Sequence, residues 1–217
     1  MKYTPLRQQL IDTALAMNRN GINQGSSGNI SVRVENGFLI TPSALPYDAC
    51  TVEDIVWMDL RGNWEGKHKP SSEWRFHRDI YQRRDDAGAV LHAHPPWCTT
   101  LACLGREIPA FHYMVAVAGG DTIRCAPYAT FGTQALSDQV LEALTDRKAC
   151  LLANHGMLCL EAELSLALSL AIEVENLARV YSQALAIGEP QLLDEAEMGR
   201  ILRKFQNYRA SNRAIHK

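Results

Sequence analysis

Apolar and polar positions alternate along this chain in two periods, and each period predicts its own elements. Leu6, Leu10, Ile11, Ala14 and Leu15 follow a helical spacing and Gly21 ends that helix; Thr4-Pro5 reads as its N-cap followed by proline at the first helical position. Ile30, Val32 and Val34 alternate as a strand, and Asn36-Gly37 turns it into Phe38-Leu39-Ile40-Thr41, a hairpin. Residues 55–60 predict another strand, with Arg61-Gly62-Asn63 as its turn. Ser71-Ser72 cap a helix that reaches about residue 84, which puts Glu73 in its first turn. A strand over 89–94 follows, then a short helix opened by Pro95-Pro96 and running through Leu104. Segment 108–117 is mixed in pattern. Residues 121–126 read as a strand, 133–144 as a helix, and 149–153 and 157–160 as strands on either side of His155. A long amphipathic helix over 163–187 ends at Gly188-Glu189-Pro190. A last helix covers 195 to about 208, and a polar tail follows.

No linker, repeat or low-complexity segment interrupts this pattern, so residues 1–217 are expected to form one domain. Hairpin-joined strands early and interleaved helices later predict an α/β fold, with a mixed sheet carrying helices on both faces.

Three histidines and a glutamate add chemistry to this scaffold. His92 and His94 end the apolar run Ala89-Val90-Leu91, and in a strand their spacing puts both imidazoles on one face. Such a pair can equally be two half-buried strand residues. His155 lies between Asn154 and Gly156, directly after the buried-strand pattern of residues 149–153. Polar side chains leaving the ends of apolar strands are typical of sites, which favours a ligand role. A third imidazole and a carboxylate would complete the tetrahedral shell that zinc prefers. Manganese and cobalt accept the same donors.

Composition narrows the partners. With 47% hydrophobic and 21% charged residues and a net charge of −2, the chain is an ordinary globular sequence. Nothing in that balance suggests nucleic acid, and Arg83-Arg84 is offset by Asp85-Asp86. No apolar stretch reaches membrane-span length and the first residues lack an apolar signal core, so a cytoplasmic protein is expected. Six cysteines are present without a Cys-x-x-Cys pair. Cys125, Cys150 and Cys159 lie in apolar runs and are expected to be buried reduced thiols. Cys98 and Cys103 fall on the helix after His94, where a nucleophilic role is the weaker reading.

Three segments are suited to an anion: Gly28-Asn29, Thr41-Pro42-Ser43-Ala44 and Ser71-Ser72. Each offers backbone N–H groups and hydroxyls, and a helix N-terminus adds a favourable dipole. Taken singly, each is equally a cap or a plain turn. The adjacency of Ser71-Ser72 to Glu73 would set an anion beside the candidate metal ligands.

These residues fall within longer strings. Asn23-Gln24-Gly25 with Gly28-Asn29, Leu39-Ile40-Thr41-Pro42, Pro70-Ser71-Ser72-Glu73-Trp74-Arg75-Phe76-His77, the His92/His94 pair, Ile108-Pro109-Ala110 with His112-Tyr113-Met114, residues 125–133 and His155-Gly156 occur in that order. With them the chain closely resembles the class II aldolase/adducin family, from Leu6 to about Tyr208. The resemblance implies a single-domain three-layer α/β/α fold with a mixed, mostly antiparallel central sheet. It implies a Zn2+-dependent aldolase, assembled as a cyclic homotetramer with active sites at subunit boundaries. By similarity His92, His94 and His155 bind zinc and Glu73 completes the shell and moves a proton. Gly28, Asn29, Ser43, Ala44, Ser71 and Ser72 match the phosphate-binding positions, and Tyr113 matches a proton-transferring tyrosine from the neighbouring subunit. His77 and His112 are expected to support the site or the core, not to ligate.

The activity so implied is reversible cleavage of a ketose 1-phosphate to dihydroxyacetone phosphate and a small aldehyde, with L-fuculose 1-phosphate and L-lactaldehyde as the leading pair. A 5-deoxypentulose 1-phosphate giving acetaldehyde is an alternative. So are a pentulose-phosphate 4-epimerase, a thio-sugar-phosphate dehydratase and a non-catalytic adducin-like binding module. A Schiff-base mechanism needs a lysine in an apolar pocket, whereas Lys2, Lys67, Lys69, Lys148, Lys204 and Lys217 all lie in polar or terminal surroundings. Two departures from the family pattern stand out. Ala44 replaces the usual glycine, which suits a backbone N–H contact if its φ is negative. Pro95-Pro96-Trp97 is bulky beside the site, where it bears on the aldehyde half of the substrate.

Overall fold

Eight strands form one sheet in the order β4-β3-β2-β1-β5-β8-β7-β6. They are β1 (Asn29–Val34), β2 (Gly37–Ile40), β3 (Val56–Asp59), β4 (Trp64–Glu65), β5 (Ala89–Ala93), β6 (Cys125–Ala126), β7 (Ala149–Leu152) and β8 (Gly156–Glu161). The helices are α1 (Thr4–Arg19), α2 (Trp74–Arg83), α3 (Pro96–Cys103), α4 (Gln134–Ala143), α5 (Leu164–Ile187) and α6 (Glu195–Ile215). The structure is a computed structural model that describes residues 1–215, with side chains as far as Asn207. Every strand pairing is antiparallel except β6 with β7, as expected of a mixed, mostly antiparallel sheet.

Side-chain alternation divides the core into two layers. From β5, Ala89, Leu91 and Ala93 enter one cluster with residues of α1, α3, α5 and α6, while Val90 enters the other with Phe76, Ile80 and Tyr81 of α2 and Leu136 and Val140 of α4. β8 divides in the same way, with Met157 and Cys159 on the first side and Leu158 and Leu160 on the second. The result is helices on both faces of the sheet. The longest helix, α5, buries Leu164, Ala167, Leu170, Ala171, Val174, Leu177, Ala178 and Tyr181, an i, i+3, i+4 stripe.

Several boundaries differ from expectation. Thr4 is already helical and its hydroxyl donates to Met1 O, so it does not cap α1 through an acceptor oxygen. β4 is a two-residue edge strand that carries no periodic signal. The strand expected over 121–126 shrinks to Cys125–Ala126, with Ile123 making an isolated bridge to Ile108. The ambiguous stretch contains a 3-10 helix, Tyr113–Ala118, that buries Val115, Ala116 and Ala118. α6 continues to Ile215, past the expected end near 208. Cys150 and Cys159 are buried as expected, whereas Cys125 is half-buried at the short edge strand. Lys217 lies outside the described residues.

Candidate active site

Two register facts bring the ligand candidates together. Asn29 of β1 stands opposite His92 of β5, and His92 stands opposite Leu158 of β8. Since Val90 faces α2, His92 and the residue two further on, His94, share that face. His155 arrives from the turn between β7 and β8, where Asn154 takes a left-handed φ of 55°, a conformation asparagine tolerates. Gly156 lets this turn close on β5: a Cβ there would lie 2.4 Å from Ala93 O and 2.8 Å from His94 Cδ2.

The three imidazoles form a near-equilateral triangle. Ring centroids are 4.8 Å apart for His92 and His94, 4.7 Å for His92 and His155, and 4.8 Å for His94 and His155. Their candidate ligand atoms lie within 4.8 Å of one another. Nε2 of His92 and Nε2 of His94 approach to 2.9 Å. His92 Nδ1 donates to Met157 O at 2.8 Å, which turns its Nε2 toward the cluster. Burial lowers the pKa of both His94 and His155 to about 4, so each is a neutral base at neutral pH.

Glu73 closes the fourth side. Its Oε2 lies 3.2 Å from His92 Nε2 and its Oε1 lies 3.4 Å from His155 Nε2. Burial opposes its charge, yet the His92 and His155 rings and the Asn29 amide hold its pKa down to about 2. Oε1 is buried and has no hydrogen-bond partner among the described residues. An anionic carboxylate oxygen in that state is costly unless a cation completes it. Three clustered imidazoles and this oxygen therefore fit a tetrahedral metal ion. Glu73 occupies the N-cap position of α2, not its first turn, and its side chain makes no cap bond. The backbone N–H of Glu73 instead donates to Ser71 Oγ at 3.3 Å.

The three anion-suited segments converge beside it. Thr41 and Ile30 exchange bonds, with Thr41 N donating to Ile30 O at 3.1 Å and Ile30 N to Thr41 Oγ1 at 3.2 Å. Ser71 N donates to Thr41 O at 3.1 Å and Ser43 N to Lys69 O at 3.0 Å. The backbone N–H groups of Ser43 and Ser71 are thus occupied, which leaves their hydroxyls as the donors they can offer. Tyr47 Oη donates to Gly28 O at 2.5 Å, which anchors the first loop. Ala44 departs from expectation: its φ is 58°, in the left-handed region that favours glycine. Asn29 also departs from a simple phosphate contact, because Nδ2 donates to Glu73 Oε2 at 2.9 Å. One amide N–H remains to it for another acceptor.

A cleft of about 360 Å³ opens over the cluster, lined by Ser27, Ser72, Glu73, His94, Asn154 and His155 together with Tyr128, Ala129 and Phe131. Tyr128 and Phe131, exposed by 63% and 65%, are absent from the sequence-based site. The signal for them was two aromatics in a Pro- and Gly-bounded loop. Tyr113 is not among the lining residues. It lines a separate apolar groove with Phe111, Leu193, Ile201 and Phe205, and is 51% exposed. His112 caps the 3-10 helix by accepting from Met114 N at 3.2 Å and is exposed, so it belongs to neither site nor core. His77 is fully buried. Among the described residues no lysine lines the cleft; Lys148 pairs with Glu161 and Lys67 with Asp54, while Lys204, expected in polar surroundings, lines the apolar groove beside Tyr113.

Residues 8–182 match the model of the class II aldolase and adducin N-terminal domain, and the chain belongs to that family. It is a class II aldolase, and hence a lyase. A 5-methylthioribulose-1-phosphate/5-deoxyribulose-1-phosphate aldolase of Rhodospirillum rubrum is 54% identical over 94% of this chain and 92% of its own length. The L-fuculose phosphate aldolase of Escherichia coli K12 is 51% identical over 96% and 97%. A solved L-fuculose 1-phosphate aldolase superposes with a TM-score of 0.92 at 41% identity, covering 95% of this chain and 98% of its own.

Proposed function

We propose that this chain cleaves a ketose 1-phosphate, reversibly, to dihydroxyacetone phosphate and a small aldehyde, using zinc held by Glu73, His92, His94 and His155. The observation that carries the proposal is the buried Oε1 of Glu73, without a hydrogen-bond partner among the described residues, beside the three clustered imidazoles. Zinc bound there would supply Lewis-acid stabilisation of the negative charge that cleavage of the C3–C4 bond leaves on the substrate. The protein supplies the rest. Gly28, Asn29, Ser43, Ala44, Ser71 and Ser72 hold the phosphate, through hydroxyls and through N–H groups near the positive end of α2. Glu73, displaced from the metal position by bound substrate, takes and returns the proton at C3, its burial excluding bulk water from that exchange. Tyr113 of a neighbouring subunit takes the C4 hydroxyl proton in cleavage and returns it in condensation. Its position in a groove apart from the histidines of its own chain supports that assignment, and with it a homotetramer with shared sites.

L-Fuculose 1-phosphate, giving L-lactaldehyde, is the leading substrate, supported by the relatives that bear that name. A 5-deoxypentulose 1-phosphate is the second reading, favoured by the Rhodospirillum relative. Both present a methyl-ended aldehyde half to the Tyr128/Phe131 side of the cleft. Six free cysteines suit a reducing cytoplasm. A coupled assay for free dihydroxyacetone phosphate across ketose 1-phosphates varied at C5 and C6 tests the reading. Release from either 5-deoxypentulose or 6-deoxyhexulose phosphate upholds it. Substrate turnover with no free dihydroxyacetone phosphate overturns it in favour of an epimerase or dehydratase.

A further inference from the structure

Behind Glu73 a row of buried polar side chains runs inward along α2. Glu73, His77 and Tyr81 are spaced four apart, so they stack on one helix face. Asn29 and Ser31 are two apart on β1 and project onto the same face. The five side chains interleave. Tyr81 Oη lies 2.8 Å from Ser31 Oγ, and Ser31 Oγ lies 2.7 Å from His77 Nδ1. His77 Nε2 lies 2.6 Å from Asn29 Oδ1, and Asn29 Nδ2 lies 2.9 Å from Glu73 Oε2. Relative exposures are 1% for Tyr81, 0% for Ser31 and His77, 3% for Asn29 and 5% for Glu73. Water therefore has no access to settle their orientations.

Only one direction of donation satisfies the whole row. An anionic carboxylate accepts and cannot donate, so the Asn29 amide must turn its N–H toward Glu73. Its carbonyl then faces His77, whose Nε2 must carry the proton. A neutral ring protonated there has a lone pair at Nδ1, so the Ser31 hydroxyl donates to it. The lone pair left on Ser31 accepts from Tyr81. A flipped Asn29 amide would set carbonyl against carboxylate and would lose the bond to Oε2. That bond pins Oε2 and leaves Oε1 as the oxygen with no hydrogen-bond partner among the described residues.

We propose that His77, Ser31 and Tyr81 are positioning residues for Glu73: they fix the Asn29 amide, which pins Oε2 and leaves Oε1, once substrate displaces it from the metal position, as the oxygen that exchanges the C3 proton. The proposal rests on the reading of Glu73 as the acid/base. The purely structural alternative is that the row merely joins α2 to β1. Packing alone does not require it, because apolar side chains of equal volume would bury that contact without a polar chain that must be fully satisfied.

The test compares Ser31→Ala, Tyr81→Phe, His77→Leu and His77→Gln with Glu73→Gln, each checked for bound zinc. Measured are kcat, KM and exchange of the C3 proton of dihydroxyacetone phosphate with solvent. Ser31→Ala and His77→Leu lower kcat and exchange together by about 10- to 100-fold, the usual effect of losing a hydrogen-bond partner behind a ligand, with KM and zinc content unchanged. Tyr81→Phe lowers both by less. His77→Gln restores both, because its amide N–H reaches the position of Nε2. In zinc-free protein, ¹⁵N spectra of the imidazoles show His77 as the Nε2–H tautomer. Exchange lost in Glu73→Gln but intact in Ser31→Ala and Tyr81→Phe overturns the positioning role and leaves the acid/base reading standing. An Nδ1–H tautomer at His77 overturns it without any assay of turnover. Exchange that survives in Glu73→Gln overturns the acid/base reading and the positioning role with it.

Discussion

Asn29 and His92 stand directly opposite each other across the antiparallel pair β1–β5. That single register choice puts the amide that holds Glu73 and the imidazole that faces it on the same side of the sheet, under α2. A slip of β1 by one residue would turn Asn29 away from α2 and from Glu73.

Metal removal is the first test of the proposed chemistry. Chelation is expected to abolish aldol cleavage and added zinc to restore it, because among the described residues no lysine lines the cleft to form a Schiff base instead. Borohydride added with substrate is expected to trap no covalent adduct, as judged by intact mass. Full turnover in protein shown by elemental analysis to hold no metal would refute the mechanism.

Ser71 and Ser72 are predicted to act on the phosphate through their hydroxyls. Ser71→Ala and Ser72→Ala should each weaken phosphorylated ligands by about 1–3 kcal/mol, the scale for hydrogen bonds to a charged group. Unphosphorylated ketose should be affected little. Calorimetric titration with both ligands decides, and equal losses for the two would reduce these serines to turn and cap residues.

Ala44 carries backbone strain at φ 58°. A left-handed alanine costs about 1–2 kcal/mol relative to an allowed conformation, and glycine relieves most of that. Ala44→Gly should therefore raise the melting temperature and leave phosphate affinity close to its starting value. An unchanged or lower melting temperature would mean that the surrounding loop already relaxes the strain.

The shared site predicts rescue between dead variants. Glu73→Gln and Tyr113→Phe should each be badly impaired alone. Unfolded together in equal amounts and reassembled at random in a ring, they should regenerate roughly a quarter of intact boundaries. Native mass spectrometry would confirm mixed assemblies. Activity that stays at the level of the separate variants in such assemblies places Tyr113 outside the neighbour's site.

Buried imidazoles predict how zinc-free protein responds to acid. Burial lowers His77 from 6.5 to about 3, and His94 and His155 from 6.5 to about 4. Below pH 6.5 the unfolded chain takes up protons that these folded residues refuse, so stability is full above that value and falls as pH drops toward 4. The fall from pH 6.5 to about 5 precedes carboxylate titration. Denaturant midpoints over that interval should decline in the parent protein and decline less in His77→Gln.

Periodicity alone located most strands and helices, because a strand end or a helix face is written in neighbouring residues. The hairpin at Asn36-Gly37, the stripe of α5 and the strands flanking His155 are of that kind, and so is the shared face of His92 and His94. The two-residue β4 and the 3-10 helix at Tyr113–Ala118 left no such trace, since they are shorter than either period needs. Residue pattern singled out Glu73, the histidines and the anion-suited loops, and the family resemblance gave them roles, but no local pattern tells that Glu73 is the cap residue of α2, or that Ala44 is left-handed. Tertiary structure alone decided that Asn29 serves Glu73, that His77 stands behind it, and that Tyr128 and Phe131 line the cleft while Tyr113 does not. These are contacts between residues far apart in the chain, set by the register of β1 on β5 and the packing of α2 across them.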